Sequence, residues 1–171
     1  MKTKPIQYNI LITLIALISL SCASEFEGEI VRDHRPAIPV TFNGATSHGF
    51  NPYYTVSYAT GTFTITVSIP ENSSKKIKEV SNIVAGATSI NVASLTAASS
   101  IQYLDQIAQV NGTTFVLTTS IDEFNTKVPA SARVTTAPAA GALVERAFMF
   151  RLVMDDDSVI VPVQCRIRIT P

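Results

Sequence analysis

The chain has 171 residues, with 13 basic side chains, 13 acidic side chains and two cysteines. A length of this order suits one domain, which can fold on its own core without a disulfide framework or a structural metal. The balanced charge leaves no basic surplus to displace counterions from phosphates. The composition therefore argues against nucleic acid and against a polybasic membrane surface as partners.

The first residues have the three parts of an export signal. Lys2 and Lys4 precede an uncharged apolar run over residues 10–20, and a small serine comes directly before Cys22. A positive start, a short apolar middle and a small residue at the exit are typical of a secretory signal peptide. The apolar run is shorter than the roughly 20 residues that a membrane-spanning helix needs. We predict that residues 1–21 form a cleaved signal peptide.

The residues around this cleavage site resemble the lipobox of bacterial lipoproteins. Ser19, Leu20 and Ser21 precede Cys22. The resemblance implies that the Cys22 thiol carries a lipid and becomes the first mature residue. It also implies an outer-membrane location, because no aspartate follows the cysteine, and a short acidic stretch after it resembles the tags of surface-exposed lipoproteins. The alternative is an ordinary signal peptide, cleaved after Ala23, in which the cysteine is incidental.

The second cysteine, Cys165, is expected to be structural. It alternates with apolar neighbours, which predicts a small buried hydrophobe and not a reactive thiol. If Cys22 is acylated, Cys165 has no disulfide partner in the chain. A bridge between the two cysteines is the alternative that an oxidising compartment allows. We expect residues 22–36 to be a flexible linker and residues 37–171 to form the domain.

The first clear strand pattern covers residues 53–69. Tyr54, Val56 and Tyr58 share one parity, a turn follows over residues 59–61, and apolar residues then alternate with threonine and serine. Two period-two runs joined by a short turn predict a β-hairpin. The inward residues of its second half would be Phe63, Ile65, Val67 and Ile69.

The C-terminal stretch predicts a second hairpin around a polar break at residues 155–158. Pro162 cannot donate a ladder hydrogen bond, so the last strand should be an edge there or carry a bulge. Arg166 and Arg168 would face outward and discourage edge-to-edge pairing. The predicted inward residues are Phe148, Phe150, Leu152 and Met154 before the break, and Val159, Val161, Val163, Cys165, Ile167 and Ile169 after it.

Weaker patterns suggest further elements. Strands are expected over residues 38–42, 77–84, 89–95 and 113–119. Helical spacing of Ile101, Leu104, Ile107 and Ala108, with Gly112 as a C-cap, predicts one short helix. Residues 128–144 are rich in alanine, threonine, serine and proline, which predicts a long mobile loop or an irregular edge.

About seven or eight short strands with turns between them predict an all-β fold, an antiparallel β-sandwich. Three segments, FTITVSIPENSSKKIKEV, NGTTFVLTTSIDEF and FRLVMDDDSVIVPVQCRIRI, resemble strand pairs of immunoglobulin-like or fibronectin-type modules of bacterial surface lipoproteins encoded beside glycan-uptake systems. The resemblance covers residues 50–170 and implies a noncatalytic module that binds or scaffolds a glycan or another envelope protein.

Reactive side chains are few in this sequence. His34 and His48 lie outside any catalytic or zinc-binding motif. Residues 155–157 are three aspartates, but their spacing is not that of a calcium-binding loop. We therefore predict no catalytic residue, no metal ligand and no cofactor. Four carboxylates would support an envelope hydrolase only if the fold brought two together, namely Glu71, Glu79, Asp122 and Glu123.

An aromatic cluster is the candidate ligand contact. Phe50, Tyr53 and Tyr54 surround Asn51 and Pro52, and aromatic faces beside an amide can stack on sugar rings. The alternative is that these rings close one end of the core. A second functional hypothesis is a structural or adhesive subunit that assembles by strand addition through an exposed edge.

Overall fold

The computed structural model describes residues 38–47 and 51–171. Residues from Ile38 to Pro171 form one compact unit. The predicted signal peptide, Cys22, the linker, both histidines and Phe50 lie outside the described residues.

The described part is mostly β-strand, which confirms the all-β prediction. One short helix, α1, spans Ile121–Thr126, and two 3₁₀ turns span Val92–Leu95 and Ala130–Ala132. The strands are β1 (Thr41–Asn43), β2 (Thr46–Ser47), β3 (Pro52–Ser57), β4 (Thr62–Ser68), β5 (Ile77–Gly86), β6 (Ala108–Gly112), β7 (Thr114–Ser120), β8 (Val144–Met154), β9 (Val159–Ile160) and β10 (Cys165–Thr170).

The strands form two sheets. The smaller has three strands in the order β1-β4-β7, and the larger has seven in the order β2-β3-β10-β8-β5-β6, with β9 paired to β8. All pairs are antiparallel except β3 with β10, which is parallel. The chain passes between the two sheets five times, and the connections from β1 to β2 and from β6 to β7 are the shortest.

The predicted hairpin over residues 53–69 is wrong, although both of its strands exist. β3 belongs to the larger sheet and β4 to the smaller, so the connection crosses between sheets. Gly61, with φ of 69°, turns the chain there, and its N–H donates to the Ser57 carbonyl over 3.0 Å. Alternation showed which side of each strand is buried, and Phe63 and Ile65 are indeed buried. It carries no information on which strand lies alongside.

The C-terminal hairpin is confirmed, with a one-residue register shift inside its second half. β9 pairs with β8 so that Ile160 faces Leu152, whereas β10 pairs so that Cys165 faces Phe148. The extra residue lies in the segment that contains Pro162, as a bulge would place it. Because of this extra residue, the side of residues 159–163 that was predicted to face inward faces outward. Val159 and Val163 are exposed, and Pro162 is buried.

Of the two alternatives predicted at Pro162, an edge or a bulge, the register supports the bulge and excludes the edge. β10 lies inside the larger sheet, between β3 and β8. Arg166 and Arg168 therefore do not protect an exposed strand edge. Both instead form ion pairs with Glu145 on β8.

The segment from residue 89 to residue 108 differs most from its prediction. The expected strand at 89–95 is a 3₁₀ turn, which Asn91 caps by accepting from the Ala93 N–H over 3.0 Å. The expected helix over 101–108 is absent, because Tyr103 is drawn into the core. Its N–H donates to the Ile83 carbonyl over 2.8 Å, and its hydroxyl bonds the Thr119 hydroxyl.

Helix α1 was not predicted, although its start has a recognisable signal. Ser120 caps the helix by accepting from the Glu123 N–H over 3.1 Å, and acidic residues occupy the first turn. The strands expected at 77–84 and 113–119 are confirmed as β5 and β7, and residues 38–42 contribute only the start of β1.

The loop after α1 is irregular, as predicted, but its first half is packed. Val128, Ala132 and Val134 are buried. Arg146 on β8 donates to the Ala132 carbonyl over 2.5 Å and to the Arg133 carbonyl over 3.2 Å. These bonds attach the loop to the larger sheet.

One hydrophobic core lies between the two sheets, and Phe148 on β8 is central to it. Its ring lies 5.9 Å from Phe63 of the smaller sheet, 5.1 Å from Tyr103 and 5.7 Å from Phe124 of α1, centre to centre. Phe150, two residues along, lies 5.8 Å from the ring of Phe42 in the smaller sheet. Tilted and edge-to-face pairs of this kind add to the stabilisation that burial provides.

We predict that Phe148→Ala lowers the free energy of unfolding by about 3–5 kcal/mol, because it leaves a cavity where the two sheets and α1 meet. Urea unfolding followed by circular dichroism measures this change. Val163→Ala is the control, since Val163 is 54 % exposed, and its effect should stay within about 0.5 kcal/mol. Equal effects of the two substitutions would contradict this core.

Candidate ligand-binding site

Strand β8 presents alternate residues to two different surroundings. Phe148, Phe150 and Leu152 point into the core and are fully buried. Glu145, Met149 and Arg151 have the opposite parity and face the outer side of the larger sheet. The features described below that could bind another molecule lie along this outer side.

A cleft of about 550 Å³ lies on this outer side, and we call it the outer cleft. Its sheet wall consists of Ser81 and Asn82 on β5 and Arg151 on β8. Its other wall comes from the irregular segment between Leu95 and Ile107. The residues that this segment contributes are Leu95, Thr96, Gln102, Leu104, Asp105, Gln106 and Ile107.

Asn82 lies at the base of the outer cleft with half of its amide unpaired. The side chain is 8 % exposed, and its Nδ2 donates to the Leu95 carbonyl over 2.6 Å. A carbonyl can only accept, so this bond determines which way the amide points. The Oδ1 atom is buried and has no hydrogen-bond partner among the described residues. A buried acceptor without a donor is unfavourable, so a hydroxyl or amide group that reached Oδ1 would supply a missing hydrogen bond.

The local fold explains the position of Asn82. The register between β5 and β8 shifts between Val80 and Asn82, and Asn82 then pairs with Arg151. The shift directs a polar residue outward from a strand whose other residues are largely buried. Asn82 and Arg151 therefore lie side by side in the cleft wall.

Arg151 supplies the donors of the outer cleft. Its Nη1 donates to the Ser81 hydroxyl over 2.9 Å, and that hydroxyl donates to the Arg151 carbonyl over 3.3 Å. A guanidinium carries five N–H donors in a fixed geometry, so one bond to Ser81 holds it in place and leaves others for a ligand. Asp105 is the carboxylate of the cleft, and it forms an ion pair with Lys127 over 3.2 Å.

Apolar groups complete the outer cleft. Ile107 is 53 % exposed, and Leu104 is half-buried beside it. The cleft thus combines amides, hydroxyls and a guanidinium with a small apolar surface. This combination can bind a neutral molecule that carries several hydroxyl groups and has an apolar C–H face.

The structure separates the predicted aromatic contacts. Tyr53 and Tyr54 are consecutive residues of β3 and point to opposite sides of the sheet. Tyr54 faces inward, where its hydroxyl donates to the Asn43 carbonyl over 2.8 Å, and burial raises the pKa of this phenol. Tyr53 faces outward, with the Arg168 guanidinium 3.6 Å from the centre of its ring. Neither residue lines the outer cleft.

The arginines of β10 form a paired network beside Tyr53. Glu145 accepts from Arg166 over 2.9 Å and from Arg168 over 2.7 Å. Arg168 also stacks on the Tyr53 ring, a favourable cation–π arrangement. Both arginine heads therefore already have partners.

The three aspartates at 155–157 hold the tip of the C-terminal hairpin against the start of β5. Asp155 accepts from the Lys76 N–H over 3.1 Å, and Asp157 pairs with Lys78 over 2.6 Å. Asp156 pairs with Lys75. The described residues contain no group of three His, Cys, Asp or Glu side chains that could hold a metal ion.

No hydrogen bond of the described residues joins two of the four carboxylates considered for hydrolysis. Glu123 on α1 binds Lys127 over 3.1 Å, and Glu79 on β5 accepts from Gln109 over 2.8 Å. Glu71 and Asp122 are exposed. None of the four lines the outer cleft.

Cys165 has the environment that the sequence predicted. It is fully buried in the shared core, and burial raises the pKa of its thiol to about 12. A thiol in such surroundings is protonated at neutral pH and therefore a poor nucleophile.

No protein-family model, curated protein or solved structure matches the chain. Among the described residues, no helix is long and apolar enough to cross a membrane.

Sequence reasoning missed both central residues of the outer cleft. The available signal was Asn82 itself, a lone amide inside the apolar run of β5. A buried amide needs hydrogen-bond partners for both of its polar atoms. Among the described residues, the Nδ2 atom of Asn82 has a partner and the Oδ1 atom has none.

We predict that Asp156→Asn lowers stability at neutral pH and that this loss disappears in acid. The hydrogen bond from Lys75, followed by that from Ser158, lowers the pKa of Asp156 from 3.8 to about 2. A lowered folded-state pKa stabilises the protein above pH 3.8, and the contribution is lost as the pH falls towards 2.

The measurement is the urea midpoint of wild type and variant between pH 7 and pH 2. Glu71→Gln, at an exposed loop position, is the control and should leave the midpoint unchanged at neutral pH. High salt should shrink the Asp156 effect, because the pair is exposed. A difference between wild type and Asp156→Asn that persists unchanged at pH 2 would rule out this origin.

Proposed function

We propose that this chain is a noncatalytic bacterial envelope lipoprotein whose β domain binds a glycan in the outer cleft. The observation that carries the binding proposal is the pairing of two cleft residues, Arg151 and Asn82, the second of which has a buried Oδ1 without a partner among the described residues. An acceptor and a set of donors at adjacent positions match the hydroxyl groups of a sugar, each of which both donates and accepts.

The glycan assignment is supported by the chemistry of the whole cleft. Gln102 and Gln106 add amides at the mouth, and Leu104 and Ile107 add an apolar surface. The carboxylate of Asp105 is neutralised by Lys127, so the cleft does not require a strongly charged ligand. A hydroxyl-rich oligosaccharide fits these groups better than a wholly apolar molecule.

The envelope location is supported by the leader. Lys2, Lys4, the apolar run and Cys22 follow the order of a lipoprotein export signal. Two or more acyl chains give a stable anchor, where a single chain binds a membrane only reversibly. We place the protein in the outer membrane. We also propose that the two β-sheets of the domain have an immunoglobulin-like arrangement.

We predict that Cys22→Ala abolishes lipid attachment. Cells expressing the full chain are grown with an alkyne fatty acid, and the purified protein is assayed for the label. Cys165→Ala is the matched control, because it removes the other cysteine and should retain full labelling. Equal labelling of wild type and Cys22→Ala would refute the anchor.

We predict that the protein binds members of a neutral oligosaccharide array and that Arg151→Met weakens this binding tenfold or more. A charge-assisted hydrogen bond contributes about 1.5–3 kcal/mol, and 1.4 kcal/mol corresponds to a factor of ten. Isothermal titration calorimetry with the best oligosaccharide measures the change. Arg133→Met is the control, since Arg133 is exposed and does not line the cleft. Unchanged affinity of Arg151→Met, or no binding to any oligosaccharide, would contradict the proposal.

A further inference from the structure

Strand β7 forms one edge of the smaller sheet. It pairs with β4 along its full length, from Thr114 opposite Ser68 to Ser120 opposite Thr62. On its other side it pairs with no strand among the described residues. Within residues 38–47 and 51–171, this edge of β7 therefore has no partner strand.

The hydrogen-bond pattern shows which backbone groups point to this edge. The Ile69 N–H donates to the Thr113 carbonyl over 2.9 Å, and the Ile121 N–H donates to the Gly61 carbonyl over 2.7 Å. Bonding alternates along an antiparallel pair, so the odd-numbered residues of β7 bond to β4. The N–H and C=O groups of the even-numbered residues face away from β4, and these residues are Thr114, Val116 and Thr118.

The edge of β7 lacks the features that usually protect an exposed strand. Natural edge strands carry a charged residue, a proline or a bulge that prevents pairing with another chain. β7 reads TFVLTTS and contains neither charge nor proline, and its register with β4 is continuous. Val116 is 54 % exposed, between Thr114 and Thr118, which are also exposed.

The exposed residues of β7 are arranged symmetrically about Val116. In an antiparallel pair centred on this residue, Val116 faces its own copy, and Thr114 faces Thr118 in both directions. The same register pairs the outward backbone groups with one another, and it places Phe115 opposite Leu117. Valine and threonine pairs of this kind stabilise a sheet, and no like charges meet.

We propose that β7 pairs with β7 of a second copy of this chain, so that the two smaller sheets join into one six-stranded sheet. The contact is the same surface on both copies, as a two-fold interface requires. This inference is independent of the proposed function, since the outer cleft lies on the larger sheet and contributes no residue to the pairing. It identifies the occupant of the edge as the protein itself, not an unrelated peptide.

The test is disulfide formation between copies that carry Val116→Cys. In a hydrogen-bonded antiparallel pair, opposite Cα atoms lie about 5.5 Å apart, which is within the range that a disulfide spans. Thr64→Cys is the matched control, because Thr64 is equally outward on β4. In the paired sheet, three strand spacings, about 14 Å, would separate the two Thr64 positions across the sheet, and an offset of four residues would separate them further along it.

Cells expressing the full chain are oxidised with copper phenanthroline, and dimers are separated on non-reducing gels. Wild type is included because it carries the same native cysteines as both variants. We expect Val116→Cys to give at least tenfold more homodimer than Thr64→Cys or wild type. Equal yields would overturn the proposal, and so would a Val116→Cys product that contains a different protein.

The molar mass of the full chain in mild detergent provides a second measurement. We expect wild type and Thr64→Lys to have the dimer mass, and Val116→Lys, which would place two like charges opposite each other, to have the monomer mass. Equal melting temperatures of the two lysine variants would show that both are folded. A dimer that survives Val116→Lys, or a monomeric wild type, would refute pairing through β7.

Discussion

The structure depends on one core that both sheets share, and strand β8 supplies the centre of that core. Phe148 and Phe150 contact aromatic rings of the smaller sheet, and Phe148 also contacts Tyr103 and Phe124. Because every second residue of β8 is used in this way, the residues between them must face the other side of the sheet. The inward residues hold the fold together, and the outward residues can serve another purpose.

The outward residues of β8 have different surroundings from one end of the strand to the other. Glu145 joins two arginines of β10 in ion pairs. Met149 is covered by the 3₁₀ turn and packs with Val84 and Leu95 in a small second core. Arg151 then opens into the outer cleft beside Asn82. The turn that covers Met149 thus also forms a wall of the cleft, so a packing requirement of the sheet creates the candidate site.

Burial could be predicted from the sequence more reliably than strand pairing. The alternation around Ile65 and around Phe148 identified buried faces correctly. It could not show that β3 and β4 belong to different sheets, because both orient their apolar residues towards the same core. A single extra residue near Pro162 exchanged the two faces of residues 159–163, which precede β10, and only the register with β8 reveals it.

Contacts between residues far apart in the sequence explain the other differences between the predicted and the observed structure. Helical spacing from Ile101 to Ala108 is overridden because the core requires the ring of Tyr103. The site was hidden for a similar reason, since Asn82 and Arg151 are 69 positions apart and meet only through the pairing of β5 with β8. Tyr53 could be proposed as a ligand contact from its residue type alone, whereas the outer cleft required the fold.

The central claim is that β8 has one face in the shared core and the other in the outer surface. The nuclear Overhauser spectrum of the protein in solution tests it most directly. The structure predicts cross-peaks from the Phe148 ring to Phe63 and from the Met149 methyl group to Leu95. Cross-peaks from Met149 to Phe63, without any from Phe148, would show that the strand faces the other way and would contradict both the core and the cleft.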